Sequence, residues 1–128
     1  GLVNHPAWNM GHLAVTADFL SKTLGSRGVC PADWEALFSH GSTPSADASA
    51  YPDKATLLTT LEKATLNAME TYENADASVL ASPPEGEELR QMFATNDDLG
   101  AMLLTSHMGM HIGEVSAWSR VMGLAPLF

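Results

Sequence analysis

The sequence predicts an all-α protein, and three observations carry that prediction. Apolar residues recur at helical spacing along three long segments, Pro, Gly and capping residues mark the ends of those segments, and no stretch shows the strict alternation of a β-strand. Because 128 residues is the length of one domain, we expect residues 1–128 to form a single helical domain.

The first long helix is predicted over about residues 6–24. Asn4 or His5 can cap it, and Pro6 suits its first turn because the missing N–H would have no partner there. A short helix is predicted over about residues 31–39, ahead of a loop rich in Ser, Ala, Gly and Pro.

The second long helix is predicted over about residues 52–74. Pro52 marks its start, and Asp53 favours the positive end of the helix dipole. A break at Ser-Pro-Pro follows, and then a short helix over about residues 86–93. The apolar stripe of the second helix, taken from helical spacing, comprises Leu58, Leu61, Thr65, Met69 and Tyr72.

The third long helix is predicted over about residues 96–122. Thr95 or Asn96 caps it, and Gly123 ends it. His107 and His111 lie four residues apart on this helix, so both imidazoles share one face and can converge on one ion. The face centred on them also carries Leu99, Leu103, Leu104, Met110, Val115, Trp118, Val121 and Met122.

Two imidazoles among apolar side chains need partners, because each unpartnered group costs on the order of 1–3 kcal/mol. A bound transition metal satisfies both at once, and neutral imidazole is its commonest ligand near pH 7. The alternative is that His107 and His111 are ordinary core histidines, bonded to the backbone or to each other.

His12 offers a third donor, one turn after Trp8 on the first helix. If that helix packs against the third, His12 meets the pair, and three imidazoles leave coordination positions open, as is typical of catalytic sites. Glu114 shares the ligand face, and four roles stay open for it. It is either a fourth ligand, an acceptor of a hydrogen bond from an imidazole, a group that transfers a proton, or a carboxylate that reaches solvent. His5 and His40 are interpreted as turn and loop residues.

Charge and cysteine content exclude several classes of partner. Fifteen carboxylates against six Lys and Arg give a net charge of -9, which argues against a nucleic acid or an anionic membrane surface as partner. No apolar run approaches the roughly 20 residues of a membrane span. Cys30, the only cysteine, permits no internal disulfide and is interpreted as a small apolar residue. With no recognisable secretory signal, we expect a cytoplasmic protein.

Two stretches resemble the DinB-like proteins. Residues 4–14, Asn-His-Pro-Ala-Trp-Asn-Met-Gly-His-Leu-Ala, resemble the Trp-x-x-x-His-Leu start of the family's second helix. Residues 106–115, Ser-His-Met-Gly-Met-His-Ile-Gly-Glu-Val, resemble the motif of its last helix, His-x-x-x-His-x-Gly-Gln/Glu. The Arg and Gly-Leu in residues 118–124 continue that motif.

The resemblance implies an up-down-down-up four-helix bundle that is often a homodimer. It carries His12, His107 and His111 over as ligands of one divalent transition metal, nickel, zinc, iron or manganese. Family activities are thiol-dependent transfers and isomerisations and metal-dependent hydrolysis of small molecules, so a low-molecular-weight thiol is a candidate second cofactor. In such an enzyme Glu114 would move a proton, and Trp8 and Trp118 would line the pocket. The alternatives are a non-catalytic metal-binding or interaction bundle, and a bundle without metal.

One feature departs from the family pattern. The family places a long helix before the Trp-x-x-x-His motif, whereas this sequence reaches the motif within its first residues. We therefore expect that helix to be missing from this chain or supplied by a partner, with an apolar groove left along the other three. None of the three matched ligands comes from that helix.

Overall fold

The structure, a computed structural model, describes residues 4–125, and this range is helical without a β-strand, as predicted. None of its helices is long and apolar enough to cross a bilayer. The up-down-down-up order of a four-helix bundle stays a prediction. In chain order the elements are α1 (Pro6–Thr23), α2 (Trp34–Phe38), a 3-10 turn (Ala48–Ala50), α3 (Lys54–Glu73), α4 (Ala77–Leu80), α5 (Glu87–Met92), α6 (Asn96–Met102), a π turn (Leu103–His107) and α7 (Met108–Val121).

Capping side chains set the starts of the longer segments. His5 caps α1, Asp53 caps α3, and Thr95 forms a reciprocal capping box with Asp98 at the start of α6. The sequence allowed two caps each for α1 and α6, and the structure assigns His5 and Thr95. The short helices predicted near residues 31–39 and 86–93 are α2 and α5, whereas α4 was not predicted.

Helix α1 lies at the centre of the structure, with α2, α3, α7 and the π turn packed around it. Its buried residues therefore face several directions instead of forming one stripe. Asn9, His12 and Asp18 are carried into the interior together with the apolar side chains of this helix. Polar side chains in such a place need hydrogen-bond partners, and those partners tie α1 to its neighbours.

The buried face of α3 is rotated from the predicted stripe. Leu58 and Met69, predicted to face the core, are 45% and 52% exposed, whereas Leu57, Ala64 and Ala68 are buried. Small alanine side chains let α3 approach α1 closely, and this close contact decides which face is buried. The other members of the predicted stripe are partly buried: Leu61, Thr65 and Tyr72.

The third long segment is not the continuous α-helix predicted over residues 96–122, because the π turn separates α6 from α7. In an α-helix, residues four apart drift by about 40° around the axis. A π turn is wider, so each residue rotates by a smaller angle around the axis, and this offsets that drift. Leu99, His107 and His111 are consequently all buried, with exposed fractions of 1%, 9% and 5%.

On both sides of His111 part of the predicted apolar face is exposed, while Val115 and Trp118 are partly buried. Met110, Val121 and Met122 are 56%, 73% and 58% exposed, so their predicted place on the buried face is wrong. In an uninterrupted α-helix these residues would share the face of His107 and His111, whereas the π turn changes which residues of α7 face α1. An exposed apolar strip on α7 follows.

Asp18 ties the end of α1 to the segment after it. Its buried carboxylate pairs with Lys22 at 2.8 Å and accepts hydrogen bonds from the backbone N–H groups of Val29 and Cys30. Gly28 packs directly against that carboxylate, where a Cβ would collide with it. Burial raises the pKa of Asp18, but the bonds from Lys22, Cys30 and Val29 outweigh burial, so the net pKa is lowered.

The Cys30 thiol lies next to the same carboxylate. Burial, with the negative charge of Asp18 as the next cause, raises its pKa to about 12. A thiol that stays protonated at neutral pH is a poor nucleophile, in agreement with the interpretation of Cys30 as a small apolar residue.

We expect Asp18→Asn to destabilise the fold by about 1–3 kcal/mol at pH 7, because it removes a buried charge that is paired and hydrogen-bonded. The folded-state pKa of Asp18 is lowered, so its contribution exists above the unfolded pKa and is lost as pH falls through the folded value. Urea unfolding should therefore show the parent and variant converging in acid. Asp33→Asn, at an exposed carboxylate without a capping bond, is the control, and a pH-independent difference would contradict the prediction.

Candidate metal centre

Three imidazoles from two separate segments meet in the interior, as the sequence predicts. His12 comes from α1, His107 from the last residue of the π turn and His111 from α7. The His107 Nε2 atom lies 3.3 Å from His12 Nε2 and 3.2 Å from His111 Nε2. The three side chains thus present nitrogen ligand atoms within 4.8 Å of one another, close enough to hold a metal ion.

His12 is oriented by a backbone carbonyl at the end of α2. Its Nδ1 donates to the Phe38 carbonyl oxygen at 2.6 Å, so Nδ1 carries the proton and Nε2 offers a lone pair. The ring of Phe38 packs against Gly11, where an added Cβ would collide with it. A glycine one residue before His12 therefore allows α2 to come close enough to set the histidine tautomer.

Trp8 supports the other side of His12. The two rings are stacked, with centroids 4.7 Å apart and planes 10° from parallel. The indole N–H of Trp8 donates to Ser42 Oγ at 2.9 Å, and Ser42 donates in turn to the Leu37 carbonyl at 3.0 Å. This chain of contacts restrains the plane of the His12 ring.

His111 is oriented by side chains instead of backbone. Its Nδ1 donates to Asn9 Oδ1 at 2.9 Å and to Glu114 Oε2 at 3.1 Å, which leaves Nε2 unprotonated and facing the other histidines. Glu114 also accepts a hydrogen bond from Asn4 Nδ2 at 3.0 Å. Acceptors on the outer nitrogen of a ligand histidine are the usual means of fixing its ring and tautomer.

His107 stands between the other two. Its Nε2 contacts both neighbours, but a single proton on that atom can serve only one of two lone pairs well. Its Nδ1 is buried without a partner among the residues that the structure describes. Without a cation the cluster therefore contains poorly satisfied nitrogen atoms, a costly arrangement in the interior.

A metal ion bound by the three Nε2 atoms removes the competition between them, whereas His107 Nδ1 keeps no partner among the described residues. Zinc–imidazole bonds of about 2.0–2.1 Å at near-tetrahedral angles place two ligand nitrogens roughly 3.3 Å apart. Two of the three separations, 3.2 Å for His107–His111 and 3.3 Å for His12–His107, agree with that geometry, and the ligand atoms of His12 and His111 lie within 4.8 Å of each other. The residues present therefore fit a transition metal bound through the three Nε2 atoms.

Burial governs the protonation of the cluster. It lowers the pKa of His12, although the bond to Phe38 opposes the shift. Burial, followed by the charges of His111 and His12, lowers the pKa of His107 to about 4. Burial raises the pKa of Glu114, but hydrogen bonds from Asn4 and His111 contribute to a net lowering. At neutral pH the structure thus holds His12 and His107 as neutral imidazoles and Glu114 as an ionised carboxylate, the state that favours metal binding.

The other predicted residues lie at different distances from the cluster. Glu114 accepts a hydrogen bond from His111 Nδ1, which is one of the roles that the sequence left open for it. The Trp8 ring stacks on the His12 ring. Trp118 is partly buried further along α7. His5 caps α1, and His40 is exposed.

Sequence reasoning did not identify Asn4 and Asn9 as parts of the site, nor the Phe38 carbonyl. Asn9 lies three residues before His12 and was available as a signal, since that spacing puts both on neighbouring positions of one helix face. The Phe38 contact involves a backbone atom, for which side-chain patterns give no signal.

A groove of about 200 Å³ runs beside the cluster between α1, α3 and α7. Its lining residues are Asn9, Met10, Leu13, Leu61, His111, Ile112, Val115 and Ser116.

Comparison of the chain with known proteins finds no matching protein-family model, curated protein or solved structure. The DinB-like resemblance therefore rests on the two motifs and stays a prediction.

We expect the metal-free protein to lose stability as the pH falls from about 6.5 towards 4. The folded-state pKa of His107 is about 4, below the unfolded value near 6.5, so in this window the unfolded chain binds a proton that the folded chain excludes. Urea unfolding after chelator treatment should show this slope, with a plateau above about pH 7. His107→Gln should flatten the slope, while His40→Gln should keep it. Equal slopes in both variants would contradict the assignment.

Gly11→Ala should weaken metal binding, because the new Cβ pushes against the buried Phe38 ring and displaces the carbonyl that orients His12. We expect roughly 10–100-fold lower affinity and a loss of about 1–3 kcal/mol in stability. Calorimetric metal titration and urea unfolding measure the two effects. Gly109→Ala, on α7 with open space around its Cβ, should leave affinity unchanged, and equal behaviour of the variants would refute the mechanism.

Proposed function

We propose that this protein is a metal-dependent enzyme whose single divalent transition metal is held by His12, His107 and His111. The observation that supports it most directly is the orientation of His12 and His111. Both commit Nδ1–H to acceptors outside the cluster, so their Nε2 lone pairs converge in advance of any ion. This preorganisation lowers the cost of assembling a ligand set.

An open coordination sphere distinguishes a catalytic from a structural metal. Among the described residues, the group able to hold a metal comprises three histidines, whereas structural zinc sites usually have four protein ligands. Such a metal acts as a Lewis acid that activates water or a thiol near neutral pH. Glu114, ionised and partly exposed beside His111, is the group we assign to accepting a proton.

The reaction class and assembly are proposed from the DinB-like resemblance. The proposed reaction is transfer or isomerisation of a small molecule with a low-molecular-weight thiol, or hydrolysis of a small molecule. The proposed assembly is a homodimer whose metal is nickel, zinc or iron. The exposed apolar residues of α7, among them Met110 and Val121, are consistent with an interface. The same exposure favours the second candidate function, a non-catalytic metal-stabilised interaction bundle.

The test of the metal site is elemental analysis of the untagged protein beside a His107→Ala/His111→Ala double variant. We expect about one equivalent of transition metal per chain in the parent and none in the folded double variant. His40→Ala, at an exposed histidine, should retain the full equivalent. No metal in the parent after incubation with nickel, zinc and iron salts would leave a bundle with structural histidines and end the enzyme proposal.

A further inference from the structure

The groove beside His111 has the size and lining for an apolar group. A cavity of about 150 Å³ lined by apolar side chains holds benzene. The groove measures about 200 Å³, so it accommodates a group of roughly six to eight carbon atoms on the same scale. Aliphatic side chains from all three surrounding helices form most of its wall: Met10, Leu13, Leu61, Ile112 and Val115.

Two residues belong both to the lining of the groove and to the candidate metal centre. Asn9 and His111 line it together and share the 2.9 Å hydrogen bond. Asn9 is fully buried, and its Nδ2 has no hydrogen-bond partner among the described residues. The Asn9 amide lies near the Glu114 carboxylate and contributes to lowering the pKa of Glu114. Its Nδ2 does not reach hydrogen-bonding geometry with that carboxylate. A buried donor without an acceptor is uncommon in folded proteins and indicates a place for one.

We propose that the metal centre and the groove together bind an amphiphilic small molecule. Its polar head coordinates the metal and carries a hydrogen-bond acceptor, and its apolar group of six to eight carbons fills the groove. This inference rests on the proposed function, since the head needs an open coordination position. It adds a substrate class that the three histidines do not specify.

The selectivity of such a site comes from the groove. A polar head on a metal binds regardless of the group attached to it, whereas each methylene buried in the groove raises affinity roughly three- to fourfold. Ligands with one head and tails of different length therefore separate the two contributions.

The experiment uses the full chain loaded with cobalt(II), whose visible spectrum reports coordination of the head. Acetohydroxamate and octanohydroxamate carry the same head on a short and a long tail. We expect both to shift the spectrum, with the dissociation constant of octanohydroxamate at least thirtyfold lower, as burial of several methylenes requires. Equal dissociation constants would overturn the inference while leaving the open metal site intact.

Val115→Phe fills the groove, and Val121→Phe makes the same change at a 73% exposed position of α7 outside it. The groove variant should lose the preference for the long tail and keep its affinity for acetohydroxamate, while the control keeps both. If Val115→Phe does not load cobalt, Ile112→Asn replaces it, with Met110→Asn as the control of equal exposure, 56%. A preference that persists in the groove variant refutes the groove as the binding place. No spectral shift with either compound refutes the open coordination position, and this inference with it.

Discussion

Three imidazoles enclosed in an apolar interior are the constraint on which the rest of the structure depends. A buried imidazole is tolerated when its nitrogens are satisfied, and each of these three meets that requirement to a different degree. His12 uses a backbone carbonyl of α2, and His111 uses side chains of α1 and α7. The histidines therefore tie α1, α2 and α7 to one another through directional hydrogen bonds, in addition to the apolar contacts of the core.

The π turn and the central position of α1 are linked to this cluster. An α-helix running without interruption from Leu99 to His111 would carry those residues progressively around its axis. The π turn offsets that rotation and delivers His107 and His111 to the face that meets α1. π turns often occur at functional sites because a helix of ordinary register cannot present the same side chains. The irregular turn and the convergence of the nitrogens are thus parts of one geometric solution.

The surroundings of the cluster are strongly asymmetric. On one side Trp8, Ser42 and the end of α2 restrain His12 through a stack and hydrogen bonds. On the other side Asn9 and Glu114 provide polar contacts to His111, and the aliphatic groove begins next to them. One side of the cluster is thus restrained, and the other side offers first polar and then apolar contacts. This arrangement suits a site that holds a metal firmly while a ligand enters from one direction.

The sequence by itself determined the helical class, the approximate places of the helices and the three histidines that form the candidate metal centre. Helical periodicity, capping residues and the spacing of four between His107 and His111 are local properties, so they can be seen without knowledge of the packing. Only the tertiary structure decided which face of α3 is buried, because closeness to α1 favours Ala64 and Ala68 over the larger Leu58 and Met69. It also decided the π turn, the role of the Phe38 carbonyl and the tautomers of His12 and His111. Each of these depends on contacts between residues distant in the chain, and on backbone atoms that every sequence shares.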